Sequence, residues 1–258
     1  MKFWKISFFI LAFLSFGAAL YFFLKSKMVR NTDRIHFLSS AEIQSVLNED
    51  ADEYYQTFSK VDLKLRKSKN VQEYVDKISN SGSEGGEENK EKIIDCIHRI
   101  NEKLAKNAET QISGINIRTF IEMPWRIGFT GDTFYENGLP HTRNDVIILN
   151  NRDIEKKNIS SMCQLLIHEK VHVYQKTYKT EFLKYLDENY DKMEKEPGLP
   201  ANPDTDRFVY TNKSTGEIFK GKYRDNPRHF RDIEFTDDDH TKEHPNESVA
   251  YAFQQLYP

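Results

Sequence analysis

The segment His168–His172, His-Glu-Lys-Val-His, contains the side chains best suited to chemistry in this chain. The two histidines are four residues apart, so on a helix both imidazoles project from one face and can share a metal ion. A catalytic zinc site usually has three protein ligands and one water. Glu169 lies about 100° further round such a helix, where it can accept a proton from an activated water. The spacing therefore predicts two metal ligands and a general base from one helical turn.

An acidic third ligand can come from a second helical pattern over residues 246–256. Glu247 lies in the first turn of that predicted helix, and Ala250 allows the helix to pack closely against a neighbour. A glutamate in a first turn also complements the helix dipole without any further role. Beside the paired histidines, we favour Glu247 as the ligand.

His168, Glu169 and His172, followed by the pair Asn246-Glu247, resemble the gluzincin class of zinc metallopeptidases. In that class a second helix donates a glutamate ligand. The resemblance covers roughly residues 115–258 and implies that His168, His172 and Glu247 bind Zn²⁺. It further implies that Glu169 is the general base and that a zinc-activated water hydrolyses peptide bonds in a zincin-like domain.

Two positions depart from the pattern of that class. Lys170 is charged and falls in the middle of the apolar arc of its helix, so it must reach solvent or meet an acid. Thermolysin-like members have an aspartate four residues after the ligand glutamate, where this chain has Tyr251. A supporting carboxylate must then come from elsewhere, and the candidates are Asp187, Asp232 and Glu234.

The hydrogen-bond donor for the tetrahedral oxyanion stays open. The candidates are Tyr210, Tyr223, His229, His240 and Tyr251.

Residues 145–149, Asp-Val-Ile-Ile-Leu, predict a short apolar strand before the active-site helix. Zinc peptidases commonly lay an extended substrate along such an edge strand. The preceding residues 140–143 predict a polar loop that borders the cleft, with Arg143 free either to bind substrate or to lie on an exposed turn.

The first thirty residues contain a long apolar segment. Residues 6–24 are uncharged, and lysines or arginines flank them on both sides. Roughly 19 helical residues come close to crossing a hydrocarbon layer of about 30 Å. We predict that residues 1–30 are a single-pass transmembrane anchor. A cleaved signal peptide and a buried helix are the alternatives, and the side of the membrane stays open.

Residues 31–110 predict a small helical subdomain. Ser39 and Glu42 have capping-box spacing and open a helical pattern. Apolar residues recur at helical spacing over 92–106, and residues 79–91, rich in Gly, Ser and Glu, predict a flexible loop.

Residues 111–258 predict an α+β, zincin-like domain. Its expected elements are a strand pattern over 115–130 broken at Pro124, the strand 145–149, a helix over 160–178 capped by Ser160 or Ser161, a helix over 181–193, a hairpin around residues 214–216 and the helix 246–256.

Composition excludes several other classes of protein. The 37 basic and 40 acidic residues give a net charge of -3, which does not suit a strongly basic nucleic-acid binder. Two cysteines, Cys96 and Cys163, cannot form a disulfide framework. We expect both to be buried thiols, with a bridge between them only in an oxidising compartment. No Gly-rich phosphate loop and no Gly-x-Ser-x-Gly motif occurs in the sequence.

These patterns predict a membrane-anchored zinc metallopeptidase that acts on a peptide or protein. The alternative is a membrane-tethered binding or scaffold protein with a non-catalytic HExxH helix, which Lys170 and Tyr251 would favour. A zinc hydrolase acting on another kind of bond is a third interpretation, because the motif indicates an activated water and not the bond that is cut. The sequence does not indicate an oligomeric state.

Overall fold

The computed structural model describes residues 33–256 of the chain. The predicted transmembrane anchor lies outside the described residues and stays a prediction. Within residues 33–256, no helix is long and apolar enough to cross a membrane.

Nine α-helices and twelve β-strands are found in the described part of the chain. The strands are β1 (Ile35–Phe37), β2 (Gly82–Ser83), β3 (Gln111–Ile112), β4 (Ile115–Asn116), β5 (Trp125–Thr130), β6 (His141–Arg143), β7 (Val146–Asn150), β8 (Tyr190–Lys192), β9 (Tyr210–Asn212), β10 (Ile218–Phe219), β11 (Gly221–Tyr223) and β12 (Ile233–Phe235). The helices are α1 (Ser40–Glu49), α2 (Lys60–Leu65), α3 (Val71–Ile78), α4 (Glu87–Ala105), α5 (Ile117–Glu122), α6 (Asn151–Lys156), α7 (Ile159–Thr177), α8 (Lys179–Asn189) and α9 (Pro245–Gln255).

A mixed sheet lies at the centre of the fold, as the α+β prediction requires. Its strands follow the order β1-β5-β7-β6, and β2 pairs with β5. β1 and β7 run parallel to β5, whereas β6 is antiparallel to β7. The expectation that residues 145–149 form an edge strand was wrong, because β7 lies between β5 and β6. The strand at this edge is β6, which we had predicted as a loop.

Alternating side chains of β7 enter two different cores. Ile147 and Leu149 pack in the larger core with α4, α7 and α9, while Val146 and Ile148 pack in the smaller core with α1 and α3. Coverage of both faces explains why the strand is a continuous apolar run. On the smaller-core side, a Cβ at Gly128 would lie 1.6 Å from Ile43 Cδ1. Glycine therefore lets α1 pack directly on β5.

Part of the segment predicted as a flexible loop is regular structure. Of residues 79–91, Gly82 and Ser83 pair with β5, and α4 already begins at Glu87. Acidic residues in the first turn complement the helix dipole, and Asn89 is buried. Because α4 packs on α7 in the larger core, residues before position 110 share that core with the residues after it.

Two asparagine caps set helix starts that the sequence patterns did not indicate. The Asn116 side chain accepts from the Thr119 amide at 2.9 Å, and α5 then occupies a region that we had predicted as strand. Asn158 accepts from the Ser161 amide at 2.9 Å, so Asn158 and not a serine caps α7. The predicted Ser39 capping box and the β9–β10 hairpin are both confirmed.

A disulfide between Cys96 and Cys163 joins α4 to α7, with the two Cα atoms 5.0 Å apart. Our expectation of two free thiols was therefore wrong. Both residues are fully buried, so the bridge ties α4 and α7 together within the larger core.

Replacing both cysteines by alanine should lower the free energy of unfolding by about 2–4 kcal/mol, because the bridge closes a long loop in the unfolded chain. Denaturant titration followed by circular dichroism measures this change. A reductant should destabilise the wild type and leave the double variant unaffected. Equal stability of the oxidised wild type and the variant would contradict the prediction.

Candidate metal centre

Helix α7 carries three of the predicted site residues. His172 and Glu169 are buried, and the His168 side chain is 12% exposed. Helix α9 packs against α7 and carries Glu247 in its first turn. The prediction that Glu247 opens a second helix is confirmed.

Three donor atoms from these helices converge. His168 Nε2 lies 3.2 Å from His172 Nε2 and 3.3 Å from Glu247 Oε2. His172 Nε2 lies 3.6 Å from Glu247 Oε1, and the three residues each offer one ligand atom within 4.8 Å of the others. Donors about 2.0–2.1 Å from a tetrahedral ion are roughly 3.3 Å apart. The donor set and its spacing therefore fit a metal ion with two histidine ligands and one glutamate.

Carboxylates surround the two imidazoles. Burial of the His172 ring opposes protonation, yet Asp204, Glu247 and Glu169 outweigh it and raise the pKa of His172 to about 10. Burial raises the pKa of Glu169 to about 7, and the charge of Asp204 adds to this rise. The centre is thus an environment that stabilises positive charge between the helices. A divalent cation bound by neutral imidazoles would balance the negative charge of the same carboxylates.

Gln175 supports His172 from behind. The Nδ1 atom of His172 donates to Gln175 Oε1 at 2.8 Å, and Gln175 Nε2 donates to the backbone oxygen of Asn246 at 3.0 Å. This chain of contacts leaves His172 Nε2 as the nitrogen available to a metal ion. It also connects α7 to the residue before Glu247, so one glutamine positions ligands from both helices.

The supporting carboxylates that we had proposed are not at the site. Asp187 and Glu234 are exposed, and Asp232 accepts from the amides of Arg228 and His229. Within the described residues, Asp204 and Glu243 take their place. Both lie in or beside loops, where no regular spacing relates them to the histidines of α7. No pattern in the sequence therefore indicated them.

Asn202 links Glu243 to the metal-ligand candidate. Its Nδ2 atom lies 3.3 Å from Glu243 Oε1 and 3.4 Å from Glu247 Oε1. Its own Oδ1 accepts from the Asp204 amide at 2.9 Å. The amide therefore sits between two carboxylates and helps to orient Glu247.

Lys170 lies on the other side of α7 and does not disturb the centre. Its Nζ donates to the backbone oxygens of Met123 and Pro124, each at 2.8 Å, and lies 4.2 Å from the Trp125 ring centroid. Burial holds the pKa of Lys170 well below its usual value. The lysine neither reaches solvent nor meets an acid, the two outcomes that we had expected.

A cavity of about 680 Å³ opens onto the donor atoms. Three of the five proposed oxyanion donors line it: Tyr223, His240 and Tyr251. The Tyr251 ring contacts the His168 ring at 4.8 Å between centroids. Tyr210 and His229 are not among the lining residues.

Arg143 is not free to bind a substrate. It is fully buried and pairs with Asp50 at 2.8 Å and Asp52 at 2.6 Å. Its role in the described structure is to hold the loop after α1 against β6.

A comparison of the chain with protein-family models, curated proteins and solved structures gives no match.

Glu247→Ala should weaken zinc affinity by more than about 100-fold, because losing a ligand costs more than losing a supporting contact, which costs about 10–100-fold. Competition with a chromogenic chelator measures the affinity. Glu243→Ala, which removes a supporting carboxylate outside the donor set, should lower the affinity less, by about 10–100-fold. Equal losses in the two variants would remove Glu247 from the ligand set.

Proposed function

We propose that the protein is a zinc-dependent metallopeptidase. The observation that carries the proposal is the convergence of two histidines and one glutamate at a cavity, with the Glu169 carboxylate beside them. Two nitrogen donors and one carboxylate suit a catalytic zinc, which usually has three protein ligands and an open position. Glu169 adds the acid–base group that hydrolysis requires.

When bound, zinc polarises the scissile carbonyl and acidifies water. Glu169 accepts the proton of the attacking water and transfers it to the leaving amine. Thr142 holds this carboxylate in place, since its Oγ1 lies 3.3 Å from Glu169 Oε2 and 3.1 Å from the Glu169 backbone oxygen. Strand β6 therefore orients the general base.

Tyr251 is the donor that we assign to the developing oxyanion. It lies four residues after Glu247 on α9, lines the cavity and contacts the His168 ring. Burial raises the pKa of Tyr251, so its hydroxyl keeps its proton at neutral pH. A fixed neutral donor beside the ligands suits the stabilisation of a tetrahedral intermediate.

Membrane anchoring by residues 1–30 belongs to the same proposal. The Cys96–Cys163 disulfide supports an oxidising compartment for residues 33–256, since such bridges persist there and are rare in reducing ones. The catalytic domain would then act on peptides or proteins at that face of the membrane.

Glu169→Gln should retain one zinc per chain and reduce turnover by about 10²–10⁴-fold, the usual contribution of a general base. Elemental analysis and cleavage of a fluorogenic peptide library by the purified full chain measure the two effects. The matched control is Glu181→Gln, at an exposed position on α8. This variant should behave as wild type. A Glu169→Gln protein with wild-type turnover would overturn the mechanism.

A further inference from the structure

The sheet edge beside the catalytic base is closed. The Thr142 amide, at the middle of β6, donates to Asp204 Oδ2 at 3.2 Å, and the Thr142 carbonyl accepts from Lys176 Nζ. Lys176 and Asp204 also pair with each other at 2.8 Å. The outward backbone groups of Thr142 are therefore occupied, and a long substrate cannot add to β6 as another strand.

The segment that closes this edge also forms a wall of the cavity. Residues 200–204 line it, and polar contacts at two adjacent residues hold this wall in place. The Ala201 amide donates to Asp62 Oδ1 at 2.9 Å, and Asn202 contacts Glu247. At about 680 Å³, the cavity has the size of a small-molecule pocket and suits the end of a short peptide better than an extended chain.

Charge is distributed unequally around this cavity. Its acidic lining includes Glu169, Asp204, Glu243 and Glu247. Arg231 lines the same cavity, is exposed, and forms no hydrogen bond or ion pair with any residue in the range 33–256. Arg66, another cation of the lining, is already paired with Glu136 at 2.5 Å. Arg231 is therefore a guanidinium available to a ligand.

We propose that the cavity takes the carboxyl-terminal end of a short peptide and that Arg231 binds its terminal carboxylate. This inference rests on the proposed peptidase function. A guanidinium pairs with a carboxylate through two parallel hydrogen bonds. The acidic side chains of the lining repel the same carboxylate. The anionic end of the substrate is thereby oriented toward Arg231. Hydrolysis then adds water across a nearby C–N bond, leaving a new carboxylate and a free amine that receives the proton.

The test uses the purified, zinc-loaded full chain and two N-acetylated libraries of short peptides, identical except for a free carboxylate or an amide at the carboxyl end. The free acids should have a kcat/KM higher by about fivefold, the size of effect expected for an ion pair with an exposed guanidinium. Arg231→Ala should remove this preference by lowering the kcat/KM of the free acids alone, and Arg231→Lys should restore part of it. Arg224→Ala, an exposed arginine nearby that does not line the cavity, is the control and should keep the preference.

A second readout separates binding from turnover. In zinc-loaded Glu169→Gln, calorimetry should show tighter binding of the free acids than of the amides, and adding Arg231→Ala should abolish the difference. Equal cleavage of acids and amides would overturn this inference and leave the peptidase function intact. Lys157 is another cation that lines the cavity, so loss of the preference in Lys157→Ala and not in Arg231→Ala would overturn the assignment of Arg231. If the wild type cleaves neither library while calorimetry still shows tighter binding of the free acids, the peptidase function would instead be overturned.

Discussion

The structure depends on one electrostatic constraint, the concentration of carboxylates around two imidazoles between α7 and α9. Ionised groups removed from water are stable only when they are paired or bind an ion. His168, His172 and Glu247 bring their donor atoms within 4.8 Å of one another. The charge of Asp204 acts on both His172 and Glu169, whereas burial raises the pKa of Glu243 to about 8. The three donors fit a divalent cation, which would resolve this constraint, and the contacts around the site hold the donors in place.

Both ligand-bearing helices are anchored by contacts away from the cavity. The disulfide and the Lys170 contacts hold α7 against the larger core. His244 caps α9, because its Nδ1 accepts from the Asn246 amide while its Nε2 donates to Asp206 at 3.0 Å. Ala250 is fully buried where the two helices meet. Lys170, one of the two residues that favoured a non-catalytic scaffold, is thus part of the framework that holds α7 in place.

Sequence patterns predicted the parts of the site that follow from helical geometry. The four-residue spacing of the histidines and the first-turn position of Glu247 are local properties, and the structure brings those residues together. Asp204 and Glu243 could not be predicted, because loops carry them and only the tertiary fold brings loops to a site. The pattern over residues 140–143 likewise predicts a loop and not β6, because distant residues, Asp204 and Lys176, bind the outer backbone groups of this short strand. Asparagine caps and the short β2 pairing were also beyond what periodicity indicates.

The most direct test of this account is an anomalous difference map, recorded at the zinc edge from crystals of the full chain grown with zinc. The account predicts one strong peak per chain, about 2.0–2.2 Å from the Nε2 atoms of His168 and His172 and from a carboxylate oxygen of Glu247. A map with no peak at these atoms, or with zinc bound only elsewhere, would contradict the central claim that the two helices form a metal centre.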